Sequence, residues 1–213
     1  MTADGTHEKR RRRGTRQWLA GPERRRQLLD AAIHTAAQRG LGRVGHAEIA
    51  KLARVAVSSV FLYFPNRRDL LEAIVGEVAR FYIELATTHH EAASDPRDAV
   101  LSHFHAFVDS VSTHPDHAQV WLEWAVLIRN DEGLWDRFLE FQEHIIRIVA
   151  GSVRRAQACG RVAKSLTAAD AARLIVAAAY TATQLKFMHR SERTVRRYSA
   201  HALELALGSP GQG

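Results

Sequence analysis

The residues with the strongest chemical character lie in the first third of the chain. Guanidinium groups are concentrated before residue 20, where the sequence has Arg10, Arg11, Arg12, Arg13 and Arg16. Hydroxyl-bearing side chains follow in the stretch 57–64, as Ser58, Ser59 and Tyr63. Guanidinium groups bind phosphate oxygens in pairs of parallel hydrogen bonds, and hydroxyl groups donate to or accept from such oxygens. The combination predicts contact with a polyanion rather than covalent chemistry.

The net charge is divided unevenly along the chain. The 213 residues carry a formal net charge of +7. Residues 1–80 contain 16 Lys or Arg and 8 Asp or Glu, which gives +8, whereas residues 81–213 contain 14 and 15, which gives −1. This division predicts a cationic head that neutralises phosphate and a body with an uncharged task. A solvated basic surface is the alternative.

Two short amphipathic helices are predicted between residues 45 and 64. Apolar residues recur there at three- and four-residue intervals: Ile49, Leu52, Ala53, Val57, Val60, Phe61 and Phe64. Arg54 to Ala56 leaves room only for a tight turn, and Pro65 ends the second helix. This pattern predicts a helix-turn-helix with Val57 to Phe64 as the recognition helix. A helical hairpin inside a core is the alternative.

Two further features of the head are predicted to contact phosphate. The glycine-rich link 41–45 places Arg43, and the backbone N–H of His46 or Ala47 at a helix start, where a phosphate can bind. The basic stretch 9–16 has no apolar anchor, so we expect a flexible arm whose arginines enter a narrow minor groove. A non-specific polyanion tail and a localisation signal are the alternatives for this arm.

The remaining residues predict an all-α chain. Helix starts are expected at Gly21, at Asn66, at Ser94-Asp95-Pro96, at Thr167 and at Ser191 or Glu192. Large aromatic residues of the body predict an apolar ligand pocket, with ordinary core as the alternative; they are Phe104, Phe107, Trp121, Trp124, Trp135 and Phe138.

The alanine-rich stretch 168–180 must be covered on more than one side. We expect a second copy of the chain to cover it in a four-helix interface with the last helix. The residues assigned to this homodimer interface are Ala172, Ile175, Val176, Ala179, Leu203 and Leu207.

The sequence also indicates where the chain acts and what it lacks. The single Cys159 cannot form an internal disulfide, the first residues have no apolar signal core, and no apolar run reaches the roughly 20 residues of a membrane span. We therefore expect a cytoplasmic protein. The close histidine sets have no cysteine pair or carboxylate cluster beside them, so neither metal nor cofactor is predicted.

Two other function classes were weighed against nucleic-acid recognition. An enzyme would need a nucleophile with a base, a phosphate-binding glycine loop or paired carboxylates, and none has a recognisable spacing here. An RNA or polyanion chaperone acting through the arm is the third class. A strong preference for one duplex over random duplex would separate it from a regulator.

Three stretches carry a resemblance to a known family. They are 40–50 (Gly-Leu-Gly-Arg-Val-Gly-His-Ala-Glu-Ile-Ala), 59–71 (Ser-Val-Phe-Leu-Tyr-Phe-Pro-Asn-Arg-Arg-Asp-Leu-Leu) and 120–124 (Val-Trp-Leu-Glu-Trp). They resemble the TetR-type bacterial regulators, and within them the LuxR/HapR/SmcR group of quorum-sensing master regulators. The spacing between these stretches agrees with that of the group over most of the chain. Near Asn130 to Gly133 this sequence has one or two additional residues.

The resemblance implies an architecture and a function. It implies about nine helices, with a flexible arm at 1–20, a helix-turn-helix domain at 21–67, a regulatory and dimerisation domain at 68–208 and a tail at 209–213. It further implies a homodimer on a near-palindromic operator, repression and activation of genes, and a cavity for a small apolar effector. Quorum sensing is one implied role; a repressor of a local operon responding to a metabolite or toxic compound is the alternative.

The resemblance also assigns roles to single residues. By this likeness, Ser58, Ser59, Leu62 and Tyr63 contact bases or phosphates, and Lys51, Arg67 and Arg68 contact phosphates. Ala56 departs from the family's usual capping Ser, and Leu62 from an Asn, so the target sequence is expected to differ. His117 and Ala179 replace a pocket-lining Trp and Cys, so any cavity would differ in shape and polarity.

Overall fold

The computed structural model describes residues 21–127, 132–188 and 190–208. Within these ranges the chain forms nine α-helices and one 3-10 turn, Leu41–Arg43, and has no strand. The helices are α1 (Gly21–Arg39), α2 (His46–Ala53), α3 (Val57–Tyr63), α4 (Arg67–Ala92), α5 (Pro96–Thr113), α6 (Pro115–Leu127), α7 (Glu132–Ala158), α8 (Ala168–Phe187) and α9 (Glu192–Leu207). The predicted all-α class is confirmed. The predicted arm at 1–20, the tail at 209–213 and most of the stretch around residue 130 lie outside the described residues.

Side-chain caps fix several helix starts where the sequence predicted them. The Asn66 side chain accepts from the backbone N–H of the third residue of α4, at 2.9 Å. Asp95 caps α5 at 2.7 Å, Thr167 caps α8 at 3.1 Å and Ser191 caps α9 at 3.3 Å. Each cap satisfies a backbone donor that has no partner within the helix.

The head consists of α1, α2, α3 and the first turns of α4. Its core contains Leu28, Ile49, Val60 and Phe64, each at most 1% exposed. The predicted inward face was wrong in part, because Leu52, Val57 and Phe61 are 49%, 42% and 45% exposed. Helices α2 and α3 have about two turns each, so only one row of side chains per helix reaches the core.

The turn between α2 and α3 is as tight as predicted. Arg54 has a positive φ of 56°, in the left-handed region. Its N–H donates to the carbonyl of Lys51 at 3.3 Å, and the N–H of Val55 donates to that of Ala50 at 3.0 Å. These bonds end α2 and set the direction of α3.

The body consists of the rest of α4 and of α5 to α9. Helix α8 packs on α5, α7 and α9, while α6 lies against α1 of the head. Tyr82, Phe104 and Trp124 are at most 2% exposed in the body core. Cys159 is exposed just after α7. None of the described helices has the length and apolar character needed to cross a membrane.

Candidate nucleic-acid interface

Helix α3 presents one face to solvent and the other to the head core. Val60 is fully buried, while Leu62 is 77% exposed. Ser58 is exposed, and Ser59 and Tyr63 are half-buried. The structure therefore places the four predicted contact residues of α3 at or near the surface. Lys51 and Arg43 are also exposed, on α2 and on the link that precedes it.

Helix α3 is held in place by the first residue of α2. Nε2 of His46 donates to the carbonyl oxygen of Phe64 at 2.8 Å, which fixes the ring tautomer with the proton on Nε2. The same ring stacks on Phe61, with centroids 4.0 Å apart and planes 6° apart. The guanidinium of Arg25 lies 5.5 Å from the centroid of the Phe64 ring. The side chain of His46 thus positions α3, and phosphate contact by its backbone N–H stays a prediction.

The two arginines at the start of α4 already have partners within the chain. Arg67 donates from Nη2 to the carbonyl of Gly42 at 2.6 Å and from Nη1 to that of Val44 at 2.7 Å. Nε of Arg68 donates to Glu72 at 3.0 Å. Arg67 therefore holds the link between α1 and α2, a role that the sequence reading did not include. Phosphate contact through the remaining donors of both residues stays a prediction.

Two other details of the head bear on recognition. Ala56 is the N-cap of α3 and makes no side-chain capping bond, as expected for a residue that stands in place of a capping Ser. Arg10, Arg11, Arg12, Arg13 and Arg16, predicted to enter a minor groove, lie outside the described residues.

The body contains a small apolar cavity of about 30 Å³ between α4, α5, α6, α7 and α8. It is lined by Tyr82, His103, Phe104, Phe107, Trp121, Phe141, Gln142, Ile145, Val149, Ile175, Val176 and Ala179. Four of the predicted pocket residues are among them: Phe104, Phe107, Trp121 and Ala179. This volume exceeds what one water molecule needs, whereas drug-sized ligands occupy pockets of roughly 300–1,000 Å³.

The other four residues predicted to line the pocket do not line this cavity, and a ligand role for them stays a prediction. Trp124 borders an open groove of about 730 Å³ between α4 and α7. Trp135 stacks on Phe138 at 5.5 Å, and His117 packs on Phe81 at 4.7 Å. Trp135, His117 and Phe81 are half-buried, so these aromatic pairs lie at the edge of the core.

The sequence argument did not predict most of the residues that line the cavity. Some of them are not aromatic, and others lie on helices to which the sequence assigned another role. Ile145 and Val149 belong to the apolar stripe of α7, and Ile175 and Val176 were assigned to a dimer interface. His103 belongs to one of the close histidine sets, for which the sequence argument addressed only metal binding. The usable signal was its place within the apolar stripe of α5, beside Val100 and Phe104, where a polar side chain must be buried.

A buried polar network reaches the cavity wall through His103. His103 Nδ1 lies 3.1 Å from His90 Nε2, and His90 Nδ1 lies 2.6 Å from Ser152 Oγ. Nη2 of Arg155 donates to that same oxygen at 2.7 Å. Burial lowers the pKa of His103 to about 3, and burial followed by the charge of Arg155 lowers the pKa of His90 to about 4. Both imidazoles are therefore neutral near pH 7.

Two more polar groups of the lining differ in their partners. The Tyr82 hydroxyl donates to Ser110 Oγ at 3.0 Å, because that hydroxyl itself donates to the carbonyl of Phe107. Burial raises the pKa of Tyr82 to about 12. The indole Nε1 of Trp121, which is 2% exposed, is buried with no hydrogen-bond partner in the described part of the chain. An unpaired buried N–H costs about 1–3 kcal/mol, so this donor favours an acceptor in the cavity.

The residues predicted for the dimer interface are mostly buried within the single chain. Ala172, Ile175, Ala179, Leu203 and Leu207 are at most 7% exposed within a single chain, and Val176 is half-buried. The alanine-rich stretch is covered by α5, α7 and α9 of its own chain, so these side chains form the protomer's core. The apolar residues left exposed on α8 and α9 are Leu174 and Leu205, at 50% and 80%.

Residues 28–74 match the family described as bacterial regulatory proteins, tetR family. The chain is 32% identical over 121 residues to the HTH-type transcriptional regulator LuxR of Vibrio harveyi, covering 57% of this chain and 58% of LuxR. It is 33% identical over 100 residues to the HTH-type transcriptional regulator BetI of Paraburkholderia phytofirmans, covering 46% of this chain and 51% of BetI. The chain thus matches little more than half the length of these curated relatives.

One solved structure extends the likeness to the whole fold. A transcriptional regulator from Saccharomonospora viridis, crystallised in complex with choline, superposes with a TM-score of 0.76 over 86% of this chain and 95% of that chain. The two share 17% identity, so this likeness concerns the fold alone. The resemblance to TetR-type regulators is confirmed, and the matched family and relatives are regulators rather than enzymes.

Proposed function

We propose that this chain, whose residues 28–74 match the tetR family of bacterial regulatory proteins, is a cytoplasmic, sequence-specific DNA-binding regulator. It binds a near-palindromic operator as a homodimer and sets transcription of the adjacent genes by repression or activation. The quorum-sensing role implied by the likeness to LuxR remains one form of this proposal. A repressor of a local operon that responds to a metabolite or toxic compound is the other form.

The solvent face of α3 is the observation that carries the proposal. A leucine that is 77% exposed on a helix of seven residues gives no stability to the chain. The same side chain can pack on the methyl group of a thymine in the major groove. Ser58 and Ser59 precede it, and Arg43 and Lys51 supply positive charge on neighbouring elements, which suits a helix that enters DNA.

The direct test compares one operator with random DNA. The operator would be identified by selecting fragments of the source genome that bind to the full chain. Fluorescence anisotropy at physiological salt would then measure the affinity for the operator and for random DNA. We expect the operator to bind at least about 10³-fold more tightly than a scrambled duplex of the same length. Equal affinity for the two duplexes would contradict sequence-specific regulation and favour a polyanion chaperone.

Two substitutions separate positioning contacts from sequence reading. Lys51→Ala should weaken binding to every duplex alike and reduce the slope of log K against log salt by about 1. Leu62→Asn should change the ranking among operator variants while leaving that slope unchanged.

Removing residues 1–20 should weaken binding most strongly to operators with A/T-rich flanks, where the minor groove is narrow.

The dimer is proposed to form through the exposed faces of α8 and α9. Leu174 and Ala177 lie on one exposed side of α8, and His201 and Leu205 on one exposed side of α9. A second copy would remove both leucines from water, at about 25 cal/mol per Å² of apolar surface. Related by a two-fold axis, the four helices would place two recognition helices on successive turns of the duplex.

Light scattering after gel filtration tests this assignment. Leu205→Glu should convert a dimer at micromolar concentration into a monomer. The matched control is Leu139→Glu on α7, where the leucine is 46% exposed and outside the proposed face. A wild-type monomer, or a dimer that Leu205→Glu leaves intact, would contradict the proposal.

A small neutral molecule is proposed as the effector of the body cavity. The lining is apolar apart from a few uncharged groups, and the Trp121 indole N–H needs an acceptor. Ionised ligands would be desolvated there without a partner of opposite charge. Since the cavity is about 30 Å³, the effector must widen it, and it releases DNA only if it binds more tightly to the protomer arrangement that fits DNA poorly.

A pair of isosteric probes tests the cavity. The pair is benzaldehyde and styrene, of which only benzaldehyde carries a hydrogen-bond acceptor. Benzoate is a third compound that tests the effect of a negative charge. We expect benzaldehyde to bind most tightly by calorimetry, with a shift of the Trp121 indole NMR signal that Trp121→Phe abolishes. Trp135→Phe, which changes a tryptophan outside the lining, is the control. Equal binding of benzaldehyde and styrene would contradict a role for the indole donor.

A further inference from the structure

The link between α1 and α2 is fixed to the body by one carboxylate. Oε2 of Glu123, on α6, accepts from the backbone N–H of Leu41 at 2.6 Å. Its other oxygen accepts from Nε2 of Gln119 at 2.9 Å. Both acceptor atoms are therefore used, and a hydrogen bond to a charged group is about twice as strong as one between neutral groups.

The same link is held from the other side by the head. Arg67 at the start of α4 donates to the carbonyls of Gly42 and Val44. Leu41 and Val44 are 1% and 0% exposed, so the link also packs its side chains inward. The link is thus tied to α6 through Leu41 and to α4 through Gly42 and Val44.

The backbone approaches Glu123 closely at the residue before the link. Gly40 has a φ of 94°, and a Cβ placed on it would lie 3.5 Å from Oε2 of Glu123. Few residues other than glycine adopt that φ without cost. The conformation at residue 40 thus brings the N–H of Leu41 to the carboxylate.

Glu123 itself cannot shift independently of the body. It lies between Trp121 and Trp124 on α6, and these side chains are 2% and 1% exposed in the body core. A second polar contact between head and body joins Nδ1 of His34 to Asp116 at 2.8 Å, but its side chains are 49% and 33% exposed. Exposed pairs of this kind contribute little, about 0–1 kcal/mol.

From these contacts we propose that Glu123 is a positioning residue that sets the angle of the head on the body, and so the separation of the two recognition helices in the dimer. The inference rests on the proposed function, because only a dimeric DNA reader has such a separation. One base pair added between half-sites moves them about 3.4 Å apart and rotates them by about 35°. A head fixed by Glu123 therefore discriminates between spacings, and a freed head does not.

The experiment measures affinity for three operators that differ only in the spacer: native, one base pair longer and one base pair shorter. It uses the full chain as wild type, Glu123→Ala and Glu123→Gln. We expect Glu123→Ala to bind the native spacing about tenfold more weakly and to lose most of its preference over the altered spacings. Glu123→Gln should lie between, since the carboxamide oxygen can still accept from the N–H of Leu41 but carries no charge to strengthen that bond.

Controls separate positioning from general damage. Glu143→Gln removes an exposed carboxylate from α7 and should leave spacing preference unchanged, and Asp116→Asn should reduce it less than Glu123→Ala does. Circular dichroism and gel filtration would verify fold and dimer. If Glu123→Ala does not fold, Glu123→Gln provides the test. It should lose part of the spacing preference, and the amide proton of Leu41 should exchange faster in it than in the wild type.

The outcomes separate the inference from the function on which it rests. A wild type that binds no operator selectively contradicts the proposed function. A wild type that discriminates between spacings, with Glu123→Ala weaker at all three by the same factor, contradicts the positioning role alone. A folded Glu123→Ala with wild-type affinities also contradicts it.

Discussion

The short helices of the head and the ring core of the body differ in how far their apolar side chains are exposed. In the head, Leu52, Val57, Phe61 and Leu62 are between 42% and 77% exposed. In the body, the large aromatic side chains of Tyr82, Phe104 and Trp124 are at most 2% exposed. The body gains its stability from ring packing, whereas the head leaves apolar surface available to a partner.

The contacts that define the two regions differ as well. Body rings pack edge-on or stacked, as Trp124 does against Phe138 and Phe141 at 5.4 and 5.7 Å. The head is oriented by hydrogen bonds between side chains and the main chain, from His46 to Phe64 and from Arg67 to Val44. Loss of a ring should therefore affect the whole fold, and loss of a hydrogen bond should affect one local geometry.

The largest effect is expected from a body ring. Trp124→Ala should lower the free energy of unfolding by about 3–5 kcal/mol, because it removes a buried indole and leaves a cavity beside Phe138 and Phe141. Urea denaturation followed by circular dichroism measures it. Trp135→Ala is the control, and a loss as large there, at a half-buried ring, would contradict the contrast between core and surface.

The second-largest effect on the stability of the body is expected from acid. His90 and His103 have pKa values of about 4 and 3 in the folded chain, against about 6.5 when unfolded. Between pH 6.5 and 4 the unfolded chain binds protons that the folded chain does not. Stability is therefore full above pH 6.5 and falls with decreasing pH, by roughly 4 kcal/mol at pH 5 for the two groups together.

Urea titrations at several pH values measure this loss. His103→Gln should reduce the steepness of the loss, because one titrating group disappears. His105→Gln, which changes an exposed histidine on the same helix, should leave the pH profile unchanged. Identical profiles for wild type and His103→Gln would contradict a role for the buried pair.

A smaller and local effect is expected in the head. His46→Ala removes the hydrogen bond to the Phe64 carbonyl and the stacking on Phe61. We expect it to lower the free energy of unfolding by about 1–2 kcal/mol. Amide exchange should accelerate in α2 and α3 and remain unchanged in α7 and α8. His34→Ala is the control, and an even acceleration over both regions would contradict a separately oriented head.

The smallest effect on stability is expected on the solvent face of α3. Leu62→Ala should change the free energy of unfolding by less than about 0.5 kcal/mol, because the side chain is already in water. Val60→Ala, two residues earlier and fully buried, should cost more. A Leu62→Ala loss as large as that of Val60→Ala would show that Leu62 serves the fold rather than DNA.

Local signals explain what the sequence could predict. The caps at Asn66 and Thr167, the tight turn at Arg54 and the division of charge depend on residues close together in the chain, so they were readable. The helix-turn-helix followed from periodicity in the same way. Periodicity did not reveal which apolar rows stay exposed, since two-turn helices carry more apolar positions than a small core can bury.

Contacts between distant residues were beyond such reasoning. Glu123 and Leu41 are 82 positions apart, and His90 and Ser152 are 62 apart. The dimer face is hard to predict for a related reason, because alanines at 168–180 fit closely against the chain's own helices as readily as against a second copy. Which side of α8 remains free depends on how α5, α7 and α9 are arranged around it.

The left-handed residue in the turn has a consequence for how such domains are recognised. Patterns for this motif usually expect glycine between the two helices, yet here an arginine adopts φ 56°. A search that required glycine would overlook this chain. In this chain the turn therefore carries an exposed positive charge directly before α3, at a position where a glycine would carry none.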